Sequence, residues 1–381
     1  MKHGEDGAVA RSVTCLRTLF FCWCLLPIAT FADPVQNLPP AVVRQIDAAV
    51  EAWRSDSQAP ALSLAVVTDN KIVFSKGYGM ADLEKKVPAR SDTVYRLASL
   101  TKSLTAVAVM QLVEAGKLDL DAPIQEYWPS FPEKQWTITP RQLLTHMAGV
   151  RHNKWSETSS TQHYASIADA INVFKDDPLL FEPETKYSYS TQGYVLLGGA
   201  IESASGVSYL QYLSEHIFKP AGMTQTAADD SGATIPNRAM GYRKGFFGLS
   251  WLGGVRTAPP HDTSIKLSAG GLVSTVEDMA RFAIALSEGQ LVRPESLDKM
   301  WTKPKTRDGK ESDYGFGFLV SEKNGQQRVF NDGSQTGTRT FLYLIPGAKF
   351  AVSLMTNLEK ADCESLTPKI RDIVLNQEAK E

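Results

Sequence analysis

Ser99 and Lys102, in Leu97-Ala98-Ser99-Leu100-Thr101-Lys102, are the pair from which chemistry can start. A serine hydroxyl is a weak nucleophile until a neighbouring base takes its proton. Lysine can be that base only when uncharged. Bringing its pKa from about 10.4 toward 7 requires roughly 4–5 kcal/mol of differential destabilisation of the cation. On a helix, residues three apart share a face. A helix starting at Ser99 would set the hydroxyl at the positive end of the macrodipole. The apolar neighbours Leu104, Ala106 and Val107 would push the lysine toward its neutral form.

Spacing alone does not single out this pair, because about one Ser-x-x-Lys is expected by chance in such a chain. A second occurs at Ser296 and Lys299, but Glu295 and Asp298 would stabilise the charged lysine there, which reads as a solvated helix face. Tyr187-Ser188-Tyr189-Ser190-Thr191-Gln192-Gly193-Tyr194 leads into a helical run over 195–202. Tyr189 there is either a proton relay to a leaving group or an aromatic packing residue. Asn331-Asp332-Gly333-Ser334 at a strand end is either a plain turn or an edge where Gly333 admits a substrate to the backbone and strand amides bind an oxyanion. His146 reads as structural rather than as a triad member.

Other chemistries find no support in the motifs. His-Glu-x-x-His, Cys-x-x-Cys, Gly-x-Ser-x-Gly and a phosphate loop ending in Gly-Lys-Ser/Thr are all absent from the 381 residues, so no metal and no cofactor is implied. A net charge of −2 with 43% hydrophobic residues describes a globular chain. It gives no electrostatic reason for a nucleic-acid partner, leaving a small molecule or a peptide as the expected substrate.

Lys2, Arg11 and Arg17 precede an apolar run over 19–28, and Thr30-Phe31-Ala32 has small residues where a signal peptidase cuts. Residues 1–32 therefore read as a signal peptide, with export to a periplasm or the extracellular medium; a mitochondrial destination is the alternative. The run falls short of the ~20 apolar residues a membrane span needs, so no integral span is expected in the mature chain. Cys15, Cys22 and Cys24 fall in this segment and only Cys363 remains beyond it. No disulfide can then form within residues 33–381, and stability must come from a packed core.

The elements that must position Ser99 and Lys102 follow from periodicity. Residues 42–53 have helical spacing with Val43, Ile46 and Val50 on one face. Runs 61–67 and 72–78, parted by Thr68-Asp69-Asn70-Lys71, read as an antiparallel hairpin. Residues 99–115 read as an apolar helix stopped by Gly116. From 118 to 264 the signals are helical and interrupted. Strands return at 314–320, 327–331, 338–345 and 350–355, and a helix closes the chain at 365–377. The fold class is α+β, an α/β sandwich: one antiparallel sheet built from both termini and flanked by helices, with a mainly helical lobe inserted. The sheet lobe covers about 40–98 and 265–381, the helical lobe about 99–264. Loops 153–164 and 246–260 are expected to shape the substrate site.

The order Ser99/Lys102, Tyr189, then Asn331–Gly333 resembles the class C β-lactamases and penicillin-binding serine hydrolases. Stretches 143–149, 193–198, 220–224, 268–278 and 314–318 are also similar to that family, and the likeness spans nearly all of residues 33–381. The runs 143–152, 177–179 and 186–194 look most like the branch of mitochondrial serine β-lactamase-like proteins and their bacterial relatives. The resemblance implies a β-lactamase/transpeptidase-like fold. It implies Ser99 as acylated nucleophile, Lys102 as base and Tyr189 as proton shuttle, with the amides of Ser99 and Ser334 as oxyanion hole. Thr191 stands where the family's asparagine contacts substrate, and Asn331 where Lys or His is common. The implied activity is therefore hydrolysis of a peptide, ester or amide bond rather than antibiotic resistance. The alternative is a non-catalytic recognition domain that keeps the pocket.

Overall fold

The hairpin foreseen at Asp69-Asn70 is the natural place to enter the fold. Both residues adopt positive φ, +48° and +58°, which asparagine and aspartate tolerate better than other side chains. This tight turn returns the chain along itself. In the computed structural model, which describes Met1, residues 35–245 and residues 254–378, helix α1 (Pro40–Ser57) precedes this hairpin of β1 (Ala61–Thr68) and β2 (Lys71–Asp82). Short β3 (Val87–Pro88) and β4 (Tyr95–Arg96) follow. Next come α2 (Thr101–Glu114), α3 (Pro140–Leu144), α4 (Trp155–Thr158), α5 (Ile167–Asn172), α6 (Thr191–Ser205), α7 (Tyr209–Leu213) and α8 (Lys219–Ala221). After them run β5 (Ala227–Ala228), β6 (Tyr242–Lys244), β7 (Val255–Thr257), α9 (Leu267–Gly270), β8 (Leu272–Ser274), α10 (Val276–Ser287) and α11 (Pro294–Met300). The chain ends with β9 (Leu319–Lys323), β10 (Gln326–Gln335), β11 (Thr338–Ile345), β12 (Phe350–Thr356) and α12 (Thr367–Glu378). The N-terminal segment read as a signal peptide and the core of the loop 246–260 lie outside the described residues.

Seven strands form one sheet in the order β3-β2-β1-β12-β11-β10-β9, every pairing antiparallel. The first and last thirds of the chain thus meet where β1 pairs with β12. The alternation of side chains along each strand sends Leu62, Leu64, Val66, Val352, Leu354, Phe341 and Tyr343 to one face, with Val42, Ile46, Val50, Ile370 and Val374 of α1 and α12. Ala65, Leu342, Leu344, Ala351 and Met355 go to the other, into the core that holds α2, α6 and α10. Each fully buried aliphatic side chain contributes about 1.5–3 kcal/mol.

Four sequence expectations are adjusted. The strand expected at 314–320 begins only at Leu319: Gly317 turns the chain at φ +77°, and a Cβ there would lie 2.6 Å from Ala106 Cβ and 2.9 Å from the Lys102 carbonyl. This turn docks on α2 instead of joining the sheet. The strand expected at 327–331 continues to Gln335, so Asn331–Ser334 lie inside β10. The helix begins at Thr101, after a single 3-10 turn (Ala98–Leu100) that carries Ser99. The face of α1 that packs is Val42, Ile46, Val50 and Trp53, with Val43 half-buried. Two further small sheets, β4-β8-β5 and β6-β7, form among the described residues.

Candidate active site

Helix α2 is buried around its circumference from Thr101 to Met110, as expected for a helix with no polar stripe. Lys102 is consequently 0% exposed. Burial drives its ammonium well below the ordinary lysine range, and Lys266 pushes in the same direction while Asp332 opposes. Its Nζ lies 3.2 Å from Ser99 Oγ and donates to the Ala269 carbonyl at 2.6 Å. With one N–H held by that carbonyl, the lone pair of a neutral amine is left for the serine proton.

Ser99 is presented by a strained turn. Ala98 adopts φ +49°, a region that costs a residue with a Cβ about 1–2 kcal/mol. Tertiary contacts hold it there: a Cβ on Gly333 would lie 2.2 Å from the Leu97 carbonyl oxygen and 3.2 Å from Ala98 Cβ. The glycine therefore admits the turn that carries Ser99, where a substrate was expected. Asn331 is also turned inward. Its amide donates to Ser103 Oγ (3.0 Å), to the Gly317 carbonyl (3.0 Å) and to the Ser99 carbonyl (3.3 Å), and its Oδ1 accepts from the Asp332 N–H (2.9 Å). Although it sits on the cleft wall, both side-chain polar atoms of Asn331 are engaged by the protein, and one of these contacts braces the Ser99 carbonyl from behind.

Tyr189 comes from the segment before α6 and donates its phenolic proton to Ser99 Oγ at 2.8 Å. Burial raises its pKa, and the hydrogen bond to Ser99 only partly opposes the rise. The phenol stays protonated at neutral pH while the amine is pushed toward its free-base form, which separates a donor from a base. The Tyr189 ring is held by His146, 4.3 Å between centroids, and by Tyr314 at 6.1 Å. His146 accepts the Ser190 N–H through Nδ1 (3.1 Å). Burial and then Lys102 keep it far below the usual imidazole range, so it is a neutral packing piece here. Ser190 caps α6 through Gly193 N–H (2.9 Å) and donates to the Arg151 carbonyl at 2.9 Å. Arg151 itself forks onto Glu157 (2.9 and 2.7 Å) and reaches Asp177 (2.5 Å), fixing the loop beside the site.

These groups open onto a cleft of about 450 Å³. Ser99, Tyr189, Thr191, Asn331 and Ser334 all line it; Gly333 does not. Thr191 is buried at the first turn of α6, its N–H bonded to His152 Nδ1 at 3.2 Å. Strand β9 pairs with β10 only as far as Phe330, so the outer edge of β10 from Asn331 to Ser334 is left to the turn that carries Ser99. Trp155, 80% exposed, and Tyr187 add an apolar rim. Sequence reasoning flagged the stretches that hold Trp155 (153–164) and Ala269 (268–278) without naming either residue, and it missed Lys266. A lysine between Ile265 and Leu267, just ahead of the flagged stretch 268–278, was the available signal for the last. Among the described residues no group of three or more His, Cys, Asp or Glu side chains is placed to hold a metal, and no helix is long and apolar enough to cross a membrane.

A family model described as Beta-lactamase matches residues 42–375. The chain is 30% identical over 400 residues to the human "Serine beta-lactamase-like protein LACTB, mitochondrial", across 82% of this chain and 71% of that protein. In structure it is similar to the octameric penicillin-binding protein homologue from Pyrococcus abyssi, with TM-score 0.74, 26% identity, and 88% and 77% of the two chains covered. It is also similar to the D-amino acid amidase from Ochrobactrum anthropi SV3, with TM-score 0.76, 25% identity, and 89% and 99% covered.

Proposed function

The chain belongs to the β-lactamase family of serine hydrolases, and from that premise we propose that it cleaves a peptide, ester or amide bond through an acyl-enzyme on Ser99. One observation carries the reading: a buried amine and a half-buried phenol converge on the same hydroxyl, Lys102 Nζ at 3.2 Å and Tyr189 Oη at 2.8 Å.

In acylation the Ser99 proton passes to the Lys102 amine as Oγ bonds the scissile carbonyl carbon. The amides of Ser99 and Ser334 receive the oxyanion, whose stabilisation is commonly the largest catalytic contribution. On collapse the bond to the leaving group breaks, the leaving group takes the Tyr189 proton, and the Lys102 ammonium restores it. In deacylation a water gives its proton to the same relay and attacks the acyl carbon; the Oγ–carbon bond then breaks and Ser99 regains a proton. The apolar rim of Trp155 and Tyr187 suits an acyl or leaving group with a hydrophobic part. The amidase among the structural neighbours supports amide or ester substrates over a dedicated antibiotic-degrading role.

A fluorophosphonate probe tests the reading directly. Mass spectrometry is expected to find the adduct on the Ser99 peptide of the wild type and none on Ser99→Ala. Equal labelling of both proteins sinks it, and failure of the wild type to label or to turn over any ester leaves a pocket that recognises without hydrolysing.

A further inference from the structure

Two lysines that the proposed chemistry does not use line the cleft, exposed Lys360 and buried Lys266. Lys266 is 9% exposed and lines the cleft together with Ser99, Tyr189 and Thr191. Its stem runs across Gly270, where a Cβ would lie 3.5 Å from Lys266 Cδ and 3.6 Å from the Ala98 carbonyl carbon. The side chain therefore lies alongside the turn that presents the nucleophile.

Among the described residues, no hydrogen bond or ion pair ties down its Nζ. The two acids lining the cleft are already engaged, Asp332 by Arg339 at 3.0 Å and Glu359 by Arg243 at 3.3 Å. Asp229, whose charge acts on Lys266, is shared by Arg96 at 2.7 Å and by Arg238. Burial first, and then Arg96, bring Lys266 down to about 8, so it is still mostly cationic at neutral pH. A buried ammonium without its own counter-charge is costly, and an anionic ligand group entering the cleft would remove that cost with a charge-assisted hydrogen bond.

We propose that Lys266 is the subsite for a carboxylate on the substrate, which docks on Nζ while the scissile carbonyl sits at Ser99. The substrate class is then an acyl compound carrying a free carboxylate near the scissile bond. This rests on the hydrolase reading, and the experiment separates the two.

Two ester pairs differ only by a carboxylate. p-Nitrophenyl valerate is compared with mono-p-nitrophenyl glutarate for the acyl side, and phenyl acetate with 3-carboxyphenyl acetate for the leaving group. The wild type is expected to prefer the anionic member of at least one pair by tenfold or more in kcat/KM, chiefly through KM. Lys266→Gln brings that ratio near one, and Lys266→Arg retains most of it. Absence of any preference in the wild type, or its survival in Lys266→Gln, overturns the proposal. Ser99-dependent hydrolysis of the neutral esters reports the hydrolase reading separately. Where no ester turns over, calorimetric titration of Ser99→Ala with monobutyl glutarate decides the matter. Heat that vanishes on adding Lys266→Gln supports the subsite; no binding by Ser99→Ala overturns it.

Discussion

Two Ser-x-x-Lys pairs lie in this chain, and only one buries its lysine against its serine. Ser296 and Lys299 sit on α11, where Lys299 is exposed beside exposed Glu295 and Asp298. Ser99 and Lys102 have the same spacing at the entrance to α2, but Lys102 is walled in on every side and its amine touches the serine oxygen. At the first site the lysine side chain is open to water. At the second, burial away from water pushes the amine toward its free-base form. Spacing sets reach, and burial sets reactivity.

Lys102→Met and Lys299→Met sharpen that contrast. The first should lower kcat/KM for an ester by about 10²–10⁴-fold, the range of general base catalysis. The second should leave the rate unchanged, and a comparable loss at Lys299 would break the distinction. Tyr189→Phe keeps the ring against His146 and Tyr314 but removes the donor. Its expected cost is on the order of a hundredfold, falling on kcat and most severe for poor leaving groups in a series of aryl and alkyl esters.

The smallest effect is on stability and has the opposite sign. Burying the Lys102 amine away from water costs the fold stability, so Lys102→Met should gain on the order of 1 kcal/mol at pH 7, as often happens when an active-site polar group is removed. Between the lowered native pKa and the ordinary value near 10.4, the unfolded chain holds a proton that the native state has released. Wild-type stability therefore rises with pH across that window, and the advantage of the variant should shrink between pH 7 and pH 10 in denaturant titrations. Lys299→Met should stay within about 0.5 kcal/mol of wild type at each pH.

Much of this was legible in the sequence where local chemistry dictates structure. Asp69-Asn70 and Pro346-Gly347 mark their turns, and the strands on either side fall within a few residues of the runs read from alternation. Tyr189 was visible as a polar aromatic at a loop–helix junction, with packing as its competitor; the fold gives the ring both surroundings. What escaped depends on segments distant in sequence. Gly317 turns the chain because α2 lies behind it, and this supplies the carbonyl that Asn331 then binds. Neither the late start of the strand expected at 314–320 nor the inward aim of Asn331 has a local signal. Lys266 has no motif spacing at all, and its burial is created by α9 and the turn that carries Ser99 closing around it.

The join between β1 and β12 also governs how the molecule is made. Paired residues such as Leu62 and Thr356 lie about 290 positions apart. At ribosomal rates of roughly 5–20 residues per second, the first hairpin waits on the order of 15–60 s for its neighbour to emerge. Until then the inner border of that hairpin is an unzipped ladder able to recruit strands from other nascent chains. Chains cut short before residue 350 should feel this most, since no later segment can fill the gap.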